Sequence, residues 1–438
     1  MNCKTQIALV ALLSFFVSVF AGCARTSAPT GSGVPGSLKD VPAVRLNYRY
    51  EADVPAPGSE NQPTEERNSA VQADFDQNRP QEQLDRTLAS PDAKRILAVY
   101  HRTSDLPSEF RIDMYAGDGK LLKKITSDLM AVHFPDTIRW SPDSTSLAFV
   151  AMLRGVSNEP EQSGPDGVEL VPSPVPTANT NAQANVDVNA QPTEADANAN
   201  TNAAAPAATP QAPTGILTFR SEQLYICNAD GDGTKPLTQN EGFIYFYYVW
   251  SPDSSMLAAL AIHTREWGEL NRRAESAGAV FVPQGRPRIV EKTGRERRID
   301  DALTAVQPVW SPDSAKVAAA FDTQVRIYDA LGNNPTQAGI PLRNNLLLSA
   351  QAYDQAQANA LNADANQVPA TNTNTASPST LPDPATLVSF NPIVALNWNA
   401  PELLYFQTAY IKRMKNEADS ATSFARWHRL VLMPQAAN

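Results

Sequence analysis

The sequence predicts an all-β fold, a propeller of four-stranded antiparallel blades, and three observations predict it. A Trp-Ser-Pro-Asp-Ser pentad recurs at 140–144, 250–254 and 310–314. A short apolar run follows each pentad, and a second half-unit of strand, turn and strand follows each run. The repeat points Ser90, Ser141, Ser251, Ser311 and Asn399 lie 51, 110, 60 and 88 residues apart, and two polar tracts account for the longest intervals. Recurrence at such a period marks a modular fold whose units bury their apolar faces against one another.

The pentad has the chemistry of a tight turn. Pro fixes φ at the second position, Asp and Ser bond the local backbone, and the flanking apolar runs become the strands of a hairpin. The indole just before the turn offers a large apolar face for packing between sheets. Trp140, Pro142, Asp143, Trp250, Pro252, Asp253, Trp310, Pro312 and Asp313 therefore read as structural, and so does Trp398 in the fourth copy, Trp398-Asn399-Ala400-Pro401. A fifth copy, Ala89 to Ala93, lacks the Trp. Ser or Ala stands where Gly would ease a left-handed backbone, so the turns are expected to carry modest strain.

In chain order, residues 1–22 read as an export signal: Lys4 is followed by an apolar run from Ile7 to Phe20, too short for a membrane span. Residues 23–43 read as a flexible tether, 44–50 as a lone strand with alternating apolar positions, and 51–83 as a polar linker. Residues 84–434 form the propeller, interrupted by Asn-, Ala- and Pro-rich tracts at 155–213 and 351–385 that are expected to be disordered. A smaller insert, Thr264 to Gly278, has the pattern of a short helix. Five repeat points are visible and a sixth blade is possible. The last unit supplies only three strands before Asn438, so the strand at 44–50 is expected to close its open edge.

The unit made of Leu224 to Thr238 (LYICNADGDGTKPLT) and Val249 to Ala261 (VWSPDSSMLAALA) resembles the TolB-type, WD40-like propeller repeat of bacterial exported proteins. That resemblance implies four-stranded blades with small loops on both faces. A TolB protein carries an α/β domain before its ring; no room for one exists before residue 84, so a Tol-Pal role does not carry over. Phe20-Ala21-Gly22-Cys23 resembles a bacterial lipobox, with Phe20 in place of the usual Leu, and implies lipidation of Cys23. The implied location is the bacterial cell envelope, exported and lipid-anchored to a membrane.

Net charge of −10 and a pI of about 5.0 argue against nucleic acid as a partner. The histidines are His101, His133, His263 and His428, with no H-E-x-x-H arrangement, and no G-x-S-x-G elbow, Walker or dinucleotide fingerprint occurs. Asn228 to Gly233 resembles half of a calcium loop, but its twelfth position is Gln239. No metal and no cofactor are expected. Cys227 reads as a buried core residue, and the aromatic run Gly242 to Trp250 as strand packing. Arg265, Arg272, Arg273, Arg286, Arg288, Arg295, Arg297 and Arg298 form a candidate positive patch for a partner. The expectation is a binding or scaffold module for an envelope protein or peptide, attached to the membrane by its lipid, and not an enzyme. The alternative is a divergent propeller hydrolase or lyase on carbohydrate or peptide, with acids near the channel mouth.

Overall fold

The computed structural model describes residues 38–58, 67–153, 169–172, 215–218, 221–332, 334–364 and 381–435. The signal, Cys23 and most of the 155–213 tract lie outside the described residues.

The repeat units fold as five antiparallel sheets. Blade 1 consists of Glu82–Ala89, Arg95–Arg102, Arg111–Ala116 and Leu121–Lys124. In blade 2 the first strand is broken into Met130–Ala131 and Arg139–Trp140, both paired with Ser146–Leu153, and Gln223–Asn228 and Lys235–Pro236 complete it. Blade 3 is Phe243–Trp250, Met256–His263, Arg286–Glu291 and Glu296–Arg298. Blade 4 is Val309–Trp310, Lys316–Phe321, Gln324–Asp329 and Gln337–Pro341. Blade 5 takes Ile393–Ala400, Leu403–Lys412 and Ala421–Pro434 from the C-terminal end and Leu46–Glu51 from the N-terminal end. Tyr48 lies opposite Leu432 and Tyr50 opposite Leu430, so the early strand is the outer strand of the last blade. It begins slightly later than 44–50, because Ala43–Arg45 is a 3-10 turn.

The pentads explain how blades 1 to 4 are joined. Ala93, Ser144, Ser254 and Ser314 all have φ near +60°, the left-handed region expected of them. Three of these positions hold Ser rather than Gly, and the reason is a bond between blades. Asp92 N–H donates to Ser144 Oγ at 3.1 Å, Asp143 N–H to Ser254 Oγ at 3.0 Å, and Asp253 N–H to Ser314 Oγ at 3.0 Å. Each hydroxyl thus accepts from the preceding blade. The indoles do the same: Trp140, Trp250 and Trp310 donate from Nε1 to Leu88 O, Arg139 O and Val249 O. Trp398, followed by Asn-Ala-Pro rather than Ser-Pro-Asp, donates instead to Pro401 O in its own blade.

Burial follows the same order. Alternate side chains of each sheet face opposite neighbours, and separate buried clusters join blades 1 and 2, 2 and 3, 3 and 4, and 4 and 5. Among the described residues no buried cluster contains both blade 5 and blade 1. The free face of blade 1 (Leu84, Ile96, Ala98, Tyr100, Tyr115) is covered by Val71 and Phe75 of helix α1, Ser69–Asn78.

Helix α1 lies within 51–83, which was expected to be a linker throughout. The tract 351–385 differs too: helix α3, Arg343–Asp364, runs through its first part. A strand within 155–213, Glu169–Pro172, pairs with Gly215–Thr218. Helix α2, Thr264–Ser276, is the expected insert.

Because each repeat turn follows a first strand and all neighbours are antiparallel, the repeat turns lie on one face of the molecule. Helices α1, α2 and α3, the link from Ser146–Leu153 to Gln223–Asn228 and the turn between Leu403–Lys412 and Ala421–Pro434 connect strand ends on the other face. The described chain starts on the turn face, where Ala43 N–H donates to Asp329 Oδ1 at 3.0 Å.

Candidate functional site

A pocket of about 300 Å³ is lined by His133, Phe134, Asp136, Arg139, Phe246, Tyr247 and Gln307 among others. Its walls come from blades 2 and 3 and from the residues just before the first strand of blade 4. Phe246 reaches it because the first strand of blade 3 bulges between Tyr245 and Tyr247, and a bulge re-aims the extra side chain. The aromatic run is therefore split: Tyr245, Tyr248 and Trp250 are buried in packing, while Phe246 and Tyr247 line the pocket. Burial pushes the Tyr247 phenol up, against the opposing pull of the Arg139 guanidinium.

On this wall His133 stands between two carboxylates. Its Nδ1 is 2.9 Å from Glu222 Oε1 and its Nε2 is 3.8 Å from Glu109 Oε1. Glu222 is fully buried, and Glu109 nearly so. Two short backbone bridges bring the three residues together. Phe110 and Val132 exchange backbone hydrogen bonds between blades 1 and 2, which sets Glu109 beside His133. Glu222 N–H donates to Phe243 O and Tyr245 N–H to Glu222 O, both at 3.0 Å, which fixes Glu222 against blade 3.

An imidazole with a carboxylate beside each nitrogen is an arrangement that can take up and pass on a proton. Asp136, exposed at the rim, accepts from Arg86 at 2.9 Å. The two carboxylates address opposite ring nitrogens, so they do not converge with His133 on one ion, and no group of three or more His, Cys, Asp and Glu among the described residues has the geometry of a metal site.

The other sequence-derived candidates are placed as follows. Within the arginine patch, Arg272 and Arg273 pair with Glu269, Arg286 with Glu266, Arg288 with Glu296, Arg295 with Glu291 and Arg298 with Asp301. Arg297 donates to Asp329 O and Ala330 O, and Arg265 is exposed at the start of α2. Local carboxylates thus answer most of this charge. Asp230 and Asp232 pair with Arg95 and Lys123 of blade 1, and Gly231 packs against Lys123 with φ of +83°. Cys227 is buried and its thiol is pushed up to about 12 by desolvation. A second cavity of about 520 Å³ includes Asn240 and Glu296, but Glu296 already accepts from Tyr245, Asn240 and Arg288.

No family model and no curated protein matches this chain. Solved structures do. An oligogalacturonate lyase from Vibrio parahaemolyticus matches at 9% identity and a TM-score of 0.31, over 79% of this chain and 64% of its own. A prolyl oligopeptidase B from Galerina marginata matches at 9% identity and a TM-score of 0.35, over 89% of this chain and 43% of its own. The chain thus spans less than two thirds of either protein. The fold is a β-propeller. The expectation of a binding or scaffold module that is not an enzyme is corrected here, since the solved neighbours named are a lyase and a peptidase. At such identities the likeness is one of fold, and the chemistry has to come from the residues of this chain.

Proposed function

We propose that this chain is a propeller enzyme that cleaves carbohydrate or peptide by acid–base chemistry, as a hydrolase or lyase, in the pocket beside His133. The observation that carries the reading is His133 held between Glu222 and Glu109 on the wall of an aromatic pocket. In this reading His133 exchanges the proton with substrate, Glu222 is the buried partner that orients the imidazole, and Phe134, Phe246 and Tyr247 receive the apolar face of the substrate. Arg139 and Asp136 at the rim supply polar contacts. Incubation of the purified chain with glycan and peptide panels tests it. Turnover that is lost in His133→Asn supports the reading; no turnover of any member, or turnover unchanged in that variant, defeats it.

We further propose that the repeat is of TolB type and that Cys23 anchors the protein in a bacterial envelope. The pentad turns and the Phe20 to Cys23 pattern support these readings. Cys23→Ser should move the protein from the membrane fraction to the soluble exported fraction; equal partitioning of the variant and the native chain would sink the anchor.

A further inference from the structure

The turn between Leu403–Lys412 and Ala421–Pro434 does not stop at the rim of blade 5. It reaches the segment after α2 in blade 3: Val280 N–H donates to Arg413 O at 3.0 Å, Lys415 N–H donates to Gly278 O at 2.9 Å, and Ala279 and Met414 form an antiparallel bridge. Blades 3 and 5 are not neighbours, since blade 4 lies between them, so this contact joins two non-adjacent blades. The same segment is fixed further on, where Gly285 and Thr304 exchange backbone bonds of 2.9 Å on the approach to the first strand of blade 4.

Its aromatic end is anchored as well. Phe281 packs edge-on against Trp267 of α2, with 4.8 Å between ring centroids. Trp267 in turn meets Phe246 of blade 3 at 5.6 Å and Phe134 of blade 2 at 6.0 Å. A continuous belt therefore runs from blade 2 across α2 to blade 5 on the face opposite the repeat turns. Phe134 and Phe246 belong both to this belt and to the pocket wall.

We propose that the belt decides what reaches the pocket: short molecules and chain ends enter, and a continuous polymer is barred from lying across it. The inference rests on the pocket being the working site. A polymer held at mid-length leaves a pocket in two directions, and the belt occupies one flank of this one, from blade 2 round to blade 5. Only an end, or a molecule short enough to fit beside the belt, reaches His133. Such fences set substrate access in enzymes whose sites lie beneath connecting loops.

Access can be measured without knowing the substrate. Gln307 is exposed and lines the pocket, so Gln307→Cys in the full chain, with Cys3→Ser and Cys23→Ser, gives one reactive thiol; Cys227 is buried and inert. The probes are N-ethylmaleimide and a maleimide attached at the middle of a long polyethylene glycol, so that polymer leaves the reactive group in two directions. Val280→Pro with Lys415→Pro removes both N–H donors of the clasp, and Trp267→Ala with Phe281→Ala loosens the other end if the proline pair fails to fold. The small probe should label all versions at one rate. The polymer probe should label the intact belt roughly tenfold more slowly than the small probe, and loosening should close that gap. Equal relative labelling by the polymer probe with the belt intact and loosened overturns the proposal. Failure of the enzyme reading is seen separately, as no turnover in the panels, and leaves the labelling ratio readable.

Discussion

Asp143 N–H donates to Ser254 Oγ at 3.0 Å, so a residue of blade 2 holds the left-handed turn residue of blade 3. The bond explains why a serine occupies a position that glycine would take more easily. A net hydrogen bond contributes about 1 kcal/mol, and a non-glycine residue in the left-handed region costs roughly as much. Ser254→Ala should keep the strain and lose the bond, lowering stability by about 1 to 2 kcal/mol. Ser254→Gly loses the bond and relieves the strain, and should fall between alanine and the native chain. Urea melts of the three proteins check this order; an alanine variant as stable as the native chain would remove the latch from the account.

Tyr50 is the residue through which the N-terminal strand enters the core of blade 5. Its hydroxyl lies 2.9 Å from His428 Nδ1 and 3.1 Å from Ser349 Oγ of α3, and its ring stacks on His428. Tyr50→Ala opens a cavity and strands a buried imidazole, and should lower stability by about 3 to 5 kcal/mol. Deleting residues 44–50 should lower the melting temperature by many degrees, since it uncovers Ala421–Pro434 as an open edge. An unchanged melting temperature after that deletion would show that blade 5 stands without its fourth strand.

His428 makes stability depend on acid. Burial, aided by the neighbouring Arg426 charge, lowers its pKa from 6.5 to about 4. The folded chain keeps the ring neutral while the unfolded chain takes up a proton as pH falls below about 6.5. Stability is therefore fully present above that value and is lost as pH falls toward about 4, by about 3 kcal/mol from this residue. Comparing His428→Gln with the native chain by urea titration at neutral pH and near pH 4.5 isolates the effect: the variant should show a flatter dependence. Parallel curves would mean that His428 titrates normally.

Glu222→Gln tests the proposed proton chemistry more finely than removal of His133. The amide keeps the size of the side chain but removes the charge beside Nδ1, and a group of this kind contributes on the order of 10²- to 10⁴-fold to rate. The expected outcome is a fall in kcat with little change in KM on whichever panel member is turned over. A pure rise in KM would place Glu222 in binding instead.

The parts of the fold that repeat were legible in the sequence, because each pentad carries its own turn chemistry and each apolar run its own strand. Trp398 reads in the sequence as equivalent to the other repeat tryptophans, but its indole bonds within its own blade. Helix α1 was not legible: only Val71 and Phe75 of its ten residues are buried, too few to mark a period. Helix α3 extends beyond its anchored start at Leu346 and Leu347 into Ala- and Gln-rich residues that favour a helix without an apolar face. The site was hidden for another reason. Glu109, His133 and Glu222 come from separate connections of blades 1 and 2, and only the bridges at Val132 and Ile244 bring them together. The one hint was His133 itself, seven residues before Trp140, where the other tryptophan-bearing units have Phe243, Leu303 and Asn391.

Helix α1 makes the joint at blade 1 unlike the others. Buried clusters bolt four joints between blades, whereas among the described residues none spans blades 5 and 1, and helix α1 covers that face of blade 1. Strain applied at the rim is expected to collect there, and a blow that breaks the structure should begin at that joint.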